Sequence, residues 1–510
     1  MATTSLTGHG LLGTREQRFV RLLPENPRPF DNAKLDALAA MMIIDDNELN
    51  DGADAEENLA VPAGYTYFGQ FVDHDLTLDT TSSLAAPEDD ASNTRTPTLD
   101  LDCLYGSGPA DQPYMYASDG ATLLPDDAKA IDLMRLPTGN PEYGRAVIGD
   151  KRNDENSIVC QIQLAMIKFH NAVVRQLKAQ GVAKEQLFGR ARREVTWTYQ
   201  RVVLEDYLHR VVNNHTYDFF TQRRAEMGNA AYDLYKKPLR TNLPKEFVGA
   251  AYRYGHSMVR TGYRLNVATK KMVFNKTDST VDSLIGFQPL PSAHVIDDWA
   301  RFFTPDAGIP LKNIPPAVDN NPAVRLQWAY KIDTSLVLPL AELPPSIGDG
   351  ASLAALNLKR SNLPTYAIAT GQAFAAALHE LPLGADDLML KVKNPDGSFN
   401  YRSIGDADPR FLTDTPLWFY ILAEAQVPTL KYWREQSRPK RDLTDEDFMS
   451  GPASRSQLGP VGGRILMEVF NGVVDDDDRS FRNSPAAVGW RPMIGDTITF
   501  WHLLRFSGLV

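Results

Sequence analysis

Gly64-Tyr-Thr-Tyr-Phe-Gly-Gln-Phe-Val-Asp-His-Asp-Leu-Thr77 is the stretch on which the reading of this 510-residue chain turns. As a helix it sets Gln70 and His74 at i and i+4, on one face. A neutral imidazole beside a carboxamide can take a proton from one oxygen of a small substrate, while the amide orients that substrate or a water. Asp73 and Asp75 flank His74 and cannot both point the same way. One can face the pocket while the other faces a cation or solvent. Two plainer readings stay open on these residues alone: a hydrogen-bonded core histidine with capping carboxylates, and a divalent-metal site.

The rest of the chain narrows the class. Hydrophobic residues make up 43% and charged residues 23%, which is globular composition and argues against disorder. With 53 Lys+Arg against 64 Asp+Glu, the net charge of -11 disfavours general binding to a phosphate backbone, so no nucleic-acid partner is expected. Two cysteines, Cys103 and Cys160, cannot form a disulfide framework for a protein this large and read as two thiols. The apolar runs fall short of the ~20 residues needed to span a bilayer, so no membrane span is expected. The first ten residues lack a basic region followed by an apolar stretch, so no signal peptide is visible. The expected location is cytoplasmic, or exported without a cleaved leader.

Apolar spacing predicts helices over 157–180, 183–214, 244–260, 362–385 and 408–425, with a short hairpin at 265–275. Residues 1–60 read as an extended N-terminal arm packed on the domain. Residues 80–95, 105–127 and 471–500 read as polar loops, the last with an acidic run, Asp475–Asp478. Asp496 to Phe506 is apolar enough to dock on the core. No repeat or long linker is evident. The expected fold is mostly α: one large helical domain over 61–510 with long irregular loops and little β.

Phe-Gly-Gln-Phe-Val-Asp-His-Asp resembles the distal helix of the peroxidase–cyclooxygenase superfamily, the animal-type haem peroxidases. Three further blocks resemble that family in the same order. Thr96-Pro-Thr-Leu-Asp-Leu-Asp102 is similar to its calcium loop. There the alternating Thr96, Thr98, Asp100 and Asp102 would converge with Asp75 as oxygen ligands suited to hard Ca²⁺. The family often has Ser where this chain has Asp102. Gly149-Asp-Lys-Arg-Asn-Asp-Glu-Asn156 is similar to the segment carrying a peroxide-polarising Arg and a haem-edge Glu, which map onto Arg152 and Glu155. Ala250-Ala-Tyr-Arg-Tyr-Gly-His-Ser-Met-Val259 resembles the proximal helix.

The resemblance implies specific roles. His256 would be the axial iron ligand of haem b, with Gly255 leaving room for the macrocycle. Ser352-Leu-Ala-Ala-Leu-Asn-Leu-Lys-Arg360 would supply Asn357 to hold the His256 ring and Arg360 to pair with a haem propionate. Asp73 and Glu155 stand where relatives form ester links to haem. Asn156 stands where some relatives carry Met, so no sulfonium link is expected. After Arg360 the chain lacks the Arg-Asp-His-Gly insert common in animal members and resembles shorter bacterial ones. His170 reads as a packing residue.

The implied activity is an oxidoreductase that reduces hydrogen peroxide through ferryl intermediates, with His74 as distal acid/base assisted by Gln70 and Arg152. The expected donor is a small aromatic molecule or a halide. Two alternatives within the superfamily's reach are a haem-dependent fatty-acid dioxygenase and a non-catalytic adhesion scaffold. The first needs a radical-relay tyrosine. Between His256 and Asn357 the nearest candidate is Tyr330, in an unlike context. The second has no need to keep Gln70, His74, Arg152 and His256 together. A haem-free metal hydrolase built on Asp73-His74-Asp75 leaves the His256 block unexplained. No Gly-x-Gly-x-x-Gly, P-loop, His-Glu-x-x-His or Gly-x-Ser-x-Gly motif competes.

Overall fold

The structure is a computed structural model that describes residues 17–44, 49, 54–77, 92–93, 95–237, 239–304, 325–437 and 443–510. At its centre runs the helix Ser157–Ala179. Asn156 caps it, its Oδ1 accepting from the N–H groups of Ile158 at 3.1 Å and Val159 at 2.9 Å. By length and composition this helix is apolar enough to cross a membrane, a test that a buried core helix also passes. In the fold 94% of its most apolar window is buried, because the helices Gly64–Leu76, Lys184–Arg201 and Phe500–Phe506 pack around it.

The architecture is mostly α. Strands form only two-stranded pairs among the described residues. One large apolar core takes in side chains from Phe30 to Leu504, with a small satellite around Trp433 and Phe448. Cys103 and Cys160 are buried free thiols.

Several boundaries differ from expectation. The predicted helix 183–214 is helical throughout its middle but passes through a π-helical turn at Val202–Tyr207. That turn delivers the buried Asp206 carboxylate to three partners: the Tyr65 hydroxyl at 2.5 Å, the Phe500 N–H at 2.9 Å and Arg210 Nε at 2.7 Å. The predicted helix 244–260 breaks. A short α-helix, Lys245–Gly249, is followed by Ala250 at φ -139°, ψ -63°, and then by a 3-10 segment, Ala251–His256. Of 362–385 only Gly371–Ala377 is helical, and the helix expected at 408–425 runs instead from Leu417 to Glu435, continuing past Pro428. The hairpin forms between Gly262–Arg264 and Lys270–Met272.

Residues 1–16 lie outside the described part of the arm. The remainder is not extended throughout: Asn32–Met41 is a helix with Leu35 and Leu38 wholly buried. A strand, Glu57–Pro62, crosses the expected boundary at residue 60 and pairs antiparallel with Trp328–Tyr330. Of the described part of the arm, Phe30, Leu35, Leu38, Ala39, Met42 and Ala60 join the main apolar core.

The acidic run ends the helix Pro460–Asp475, where the helix dipole disfavours negative charge. Cations offset it. Asp475 accepts from Arg224, Arg482 and the Tyr232 hydroxyl, and Asp476 faces Lys237 and Arg240. At the other end of this helix, Glu424 accepts from the N–H groups of Val461 and Gly462 at 2.9–3.0 Å. Burial pushes the Glu424 carboxyl up to about 7 despite those bonds. A pKa raised in the fold means that stability is fully present below the unfolded value and is lost as pH rises through 7. Glu424→Gln keeps an acceptor for the helix end and removes the titration. The variant's stability relative to the parent should therefore rise by roughly 2–3 kcal/mol between pH 4.5 and 8. Urea melts at the two pH values check this, and an unchanged difference would count against it.

Candidate functional site

The Gly64–Leu76 helix forms where the sequence expects it and buries most of its circumference. Its neighbours dictate small residues: a Cβ on Gly64 would meet Phe303 at 2.4 Å, and one on Gly69 would meet the Tyr207 hydroxyl at 2.5 Å. Tyr207 in turn shares a 2.7 Å hydrogen bond with Tyr254, and Tyr252 donates to the Gly69 carbonyl at 3.0 Å. Buried phenols thus bolt this helix to the segment that carries His256.

His74 is buried, and its Nδ1 lies 2.7 Å from Asn153 Oδ1. Asn153 Nδ2 donates to Gln163 Oε1 at 2.8 Å, so Oδ1 is the acceptor and the ring proton sits on Nδ1. Nε2 then carries a lone pair. Burial, followed by the Arg152 charge, lowers the His74 pKa to about 4, leaving the imidazole neutral at physiological pH. Gln70 is tied at both ends. Its Nε2 donates to Glu155 Oε1, and its Oε1 accepts from Asn156 Nδ2 at 3.1 Å. Asn156 therefore caps the central helix with one amide atom and fixes Gln70 with the other. Burial raises Glu155 to about 7, against the opposing effects of Arg152 and the Gln70 hydrogen bond. The half-buried Asp73 acts electrostatically on His74, Glu155 and Arg360, which sets its carboxylate in the same pocket.

Arg152 is more constrained than a free pocket donor. Its Nε and Nη2 bond Asp150 at 2.8–3.3 Å, and Nη2 also reaches the carbonyls of His74, at 3.2 Å, and Thr77. It caps the C-terminal end of the His74 helix as a cation should. Among the described residues Nη1 has no hydrogen bond. Burial pushes the Asp150 carboxyl up, but Arg152 and Arg95 outweigh it and hold it well below the usual range.

Asp75, Asp100 and Asp102 present carboxylate oxygens within 4.8 Å of one another. Asp75 is wholly buried, and neither of its oxygens has a hydrogen-bond partner. The buried Thr98 hydroxyl has none either. Burial and then the charges of Asp102 and Asp100 push the Asp75 carboxyl well up. Such a cluster is costly unless a cation occupies it, so all-oxygen donors and orphaned acceptors fit Ca²⁺. The loop is not uniformly extended. Leu101 turns at φ +60°, and Asp102 opens a short helix, Asp102–Tyr105, so the expected alternation fails. The Thr96 hydroxyl bonds Asp100 at 3.0 Å rather than joining the cluster.

On the opposite side of the Tyr207 bolt, His256 ends the 3-10 segment, and its Nδ1 lies 2.7 Å from the Asn357 amide. Asn357 Oδ1 accepts from Arg360 Nη1 at 3.0 Å, which turns Nδ2 toward the ring. A half-turn of this amide presents Oδ1, the orientation an Nε2-bound metal needs. Burial, then Arg253 and Arg360, lowers the His256 pKa far enough to keep the ring neutral. Arg360 is buried with Nε unpartnered, forms no salt bridge among the described residues, and is lowered to about 9 by burial and Arg253. A buried guanidinium without an anion fits an incoming carboxylate. A Cβ on Gly255 would meet nothing within 4 Å. The open space at Gly255, the ligand-competent imidazole and the two arginines fit a haem with its propionates.

The sequence reading passed over Asn153, Gln163, Asp150, Arg95 and Arg253. Asn153 and Asp150 lie inside the Gly149–Asn156 block already singled out, and a polar pair spaced like Asn153 and Gln163 was the available signal. His170 is a packing residue, bonded to Tyr105 at 3.0 Å and the Ala121 carbonyl at 2.8 Å.

The chain has the fold of the peroxidase–cyclooxygenase superfamily, and residues 85–301 match the family model for animal haem peroxidase. The match takes in the carboxylate loop, Arg152 and His256, and leaves His74 and Asn357 outside it. Among solved structures, the chain is similar to Peroxidase A from Dictyostelium discoideum, with TM-score 0.55 and 15% identity, covering 96% of this chain and 93% of that one. It is similar too to the fatty acid alpha-dioxygenase of Oryza sativa, with TM-score 0.54 and 14% identity, covering 94% of this chain and 80% of that one. Among curated relatives, Heme peroxidase 2 of Caenorhabditis elegans is 26% identical over 177 residues, 32% of this chain and 23% of its own. Dual oxidase of Drosophila melanogaster is 25% identical over 201 residues, 36% of this chain and 12% of its own. The matched stretches therefore span less than a quarter of either curated relative.

Proposed function

We propose that this protein is a haem peroxidase, an oxidoreductase that reduces hydrogen peroxide and oxidises small aromatic donors or halides. One observation carries the reading. Two buried, neutral imidazoles are each held at Nδ1 by an asparagine amide, His74 by Asn153 and His256 by Asn357, both at 2.7 Å. His74 is left with an Nε2 lone pair to carry a proton, and a half-turn of the Asn357 amide, which gives up its bond from Arg360, would free Nε2 of His256 to bind iron.

Haem, when bound, supplies the redox chemistry. His256 would hold its iron, Arg360 and Arg253 its propionates, and Asp73 and Glu155 are the carboxylates able to form ester links. His74 Nε2 takes the proton from one peroxide oxygen and returns it to the departing one. The Asn153 bond keeps the ring in the tautomer that can do so. Arg152, fixed by Asp150, offers Nη1 as a permanently charged donor toward the departing oxygen. Gln70, clamped between Glu155 and Asn156, keeps the pocket polar and orders peroxide or water. Asp75, Asp100, Asp102 and Thr98 would hold Ca²⁺ and so anchor the helix end beside His74, with Thr96 acting through Asp100.

The fatty-acid dioxygenase reading gains nothing from Tyr330. Its hydroxyl donates to Asp54 Oδ2 at 3.1 Å, and its ring lies under Arg260 at 4.8 Å.

The test is an absorption spectrum of the purified protein before and after hydrogen peroxide, followed by acid–butanone extraction. A Soret band that shifts with peroxide is the expected result, and haem remaining with the protein after extraction marks the ester links. No Soret band after haem supplementation would overturn the proposal.

A further inference from the structure

Arg95 joins two parts of the site that the sequence treats as separate. Its side chain is 7% exposed. Nη1 lies 2.9 Å from Asp102 Oδ1, and Nη2 lies 2.6 Å from Asp150 Oδ2 and 3.3 Å from the Gly149 carbonyl. The same Asp150 Oδ2 is 2.8 Å from Arg152 Nη2, which also reaches the His74 carbonyl at 3.2 Å. The charges alternate along Asp102, Arg95, Asp150 and Arg152. Asp102 is also a member of the three-carboxylate cluster, where Asp75 is wholly buried with both oxygens unpartnered. The guanidinium thus neutralises the outer carboxylate and leaves the buried one bare. This pairing exists because the chain carries Asp at 102, where a neutral residue would offer Arg95 nothing.

We propose that Arg95 is a built-in competitor of the divalent cation for Asp102, and that loading the cation site shifts the hold of Arg95 toward Asp150, the carboxylate that positions Arg152. The inference rests on reading Asp75, Asp100 and Asp102 as a cation site. Its basis is Coulombic. A positive charge within hydrogen-bond distance of one ligand lowers the negative potential that draws the cation, in a buried setting where screening is weak. Cation occupancy and the Arg95–Asp102 pair oppose each other, and linkage makes the opposition mutual. Arg95 is a positioning residue: it touches the ligand and the holder of Arg152, and neither substrate nor haem.

The experiment measures Ca²⁺ and Tb³⁺ binding to the full-length protein by calorimetry and terbium luminescence, with haem content matched between variants. Arg95→Met should tighten Ca²⁺ binding by about tenfold. The gain should be larger for Tb³⁺, because repulsion scales with the charge of the ion. Arg95→Lys, which keeps the charge, should bind close to the parent. A residue that merely supported the fold would weaken binding when removed and would not distinguish ion charge. Asp150→Asn should release Arg95 onto Asp102 and weaken Ca²⁺ binding several-fold, an effect that largely disappears in the Asp150→Asn/Arg95→Met double variant. If Arg95→Met does not fold, the Arg95→Lys and Asp150→Asn arms decide, and unchanged affinity in Asp150→Asn overturns the competition. Calcium binding by the parent without a gain in Arg95→Met overturns the competition and leaves the cation reading intact. Binding by Arg95→Met alone supports the competition. No binding by any variant overturns both readings.

Discussion

His256→Ala is expected to purify as a folded protein with almost no Soret absorbance. The iron bond depends on a neutral imidazole. Burial with Arg253 and Arg360 keeps His256 neutral, and Asn357 at 2.7 Å fixes its ring. Alanine removes the only nitrogen ligand this segment offers, and Arg360 with Arg253 would then hold the propionates of a group with no axial bond. A pyridine haemochrome assay on matched protein concentrations should show a loss of at least about tenfold in haem content, the scale expected when a buried ligand with its hydrogen-bonded support is removed. The fold should survive, since the core around Tyr252, Tyr254 and Phe470 does not use the imidazole. A normal Soret band at full occupancy would falsify the axial assignment.

His74→Ala should behave differently, keeping its haem while reacting slowly with peroxide. Among the described residues no hydrogen bond joins the His74 ring to the His256 side, so the proposed haem ligand keeps its supports. The lost function is proton transfer by a neutral ring whose Nε2 is free. A positioned acid/base contributes typically 10²–10⁴-fold, so the second-order rate of the spectral change with peroxide should fall by at least about 100-fold. Stopped-flow absorbance measures it. An unchanged rate would remove His74 from the mechanism and shift attention to Glu155, whose raised pKa of about 7 also suits a proton carrier. The two histidine variants separate the halves of the site: one abolishes the spectrum, the other only its response.

Much of the site was legible because its residue types are chemically constrained and its spacing is local. Gln70 and His74 share a face simply because four residues of α-helix bring them together. The Ser157–Ala179 helix announces itself by apolar residues recurring at helical spacing. The errors fall where non-local packing overrode local preference. The 244–260 stretch has helical periodicity, yet a Cβ on Gly249 would meet Tyr366 at 2.7 Å, and the chain breaks at Ala250 to bring His256 round in a 3-10 turn. The arm looked extended because its punctuation is rich in Pro, Gly and Asn. The apolar Leu35 and Leu38 found a core supplied by distant helices.

By itself, the sequence determined the mostly α class and set Gln70 and His74 on one helical face, while the roles expected of His256 and of the carboxylates came with the family resemblance. Only the tertiary structure decided what each of them is held by. It put Asn153 behind His74, tied Gln70 between Glu155 and Asn156, turned Arg152 onto the end of its neighbour's helix, left the Asp75 carboxylate and the Arg360 Nε buried without partners, and strung Arg95 between two carboxylates 48 residues apart in the chain. Such bonds join residues far apart in sequence. Their strength comes from burial, which makes every unpaired polar atom expensive and every paired one directional, and burial is a property of the folded chain rather than of any segment of it.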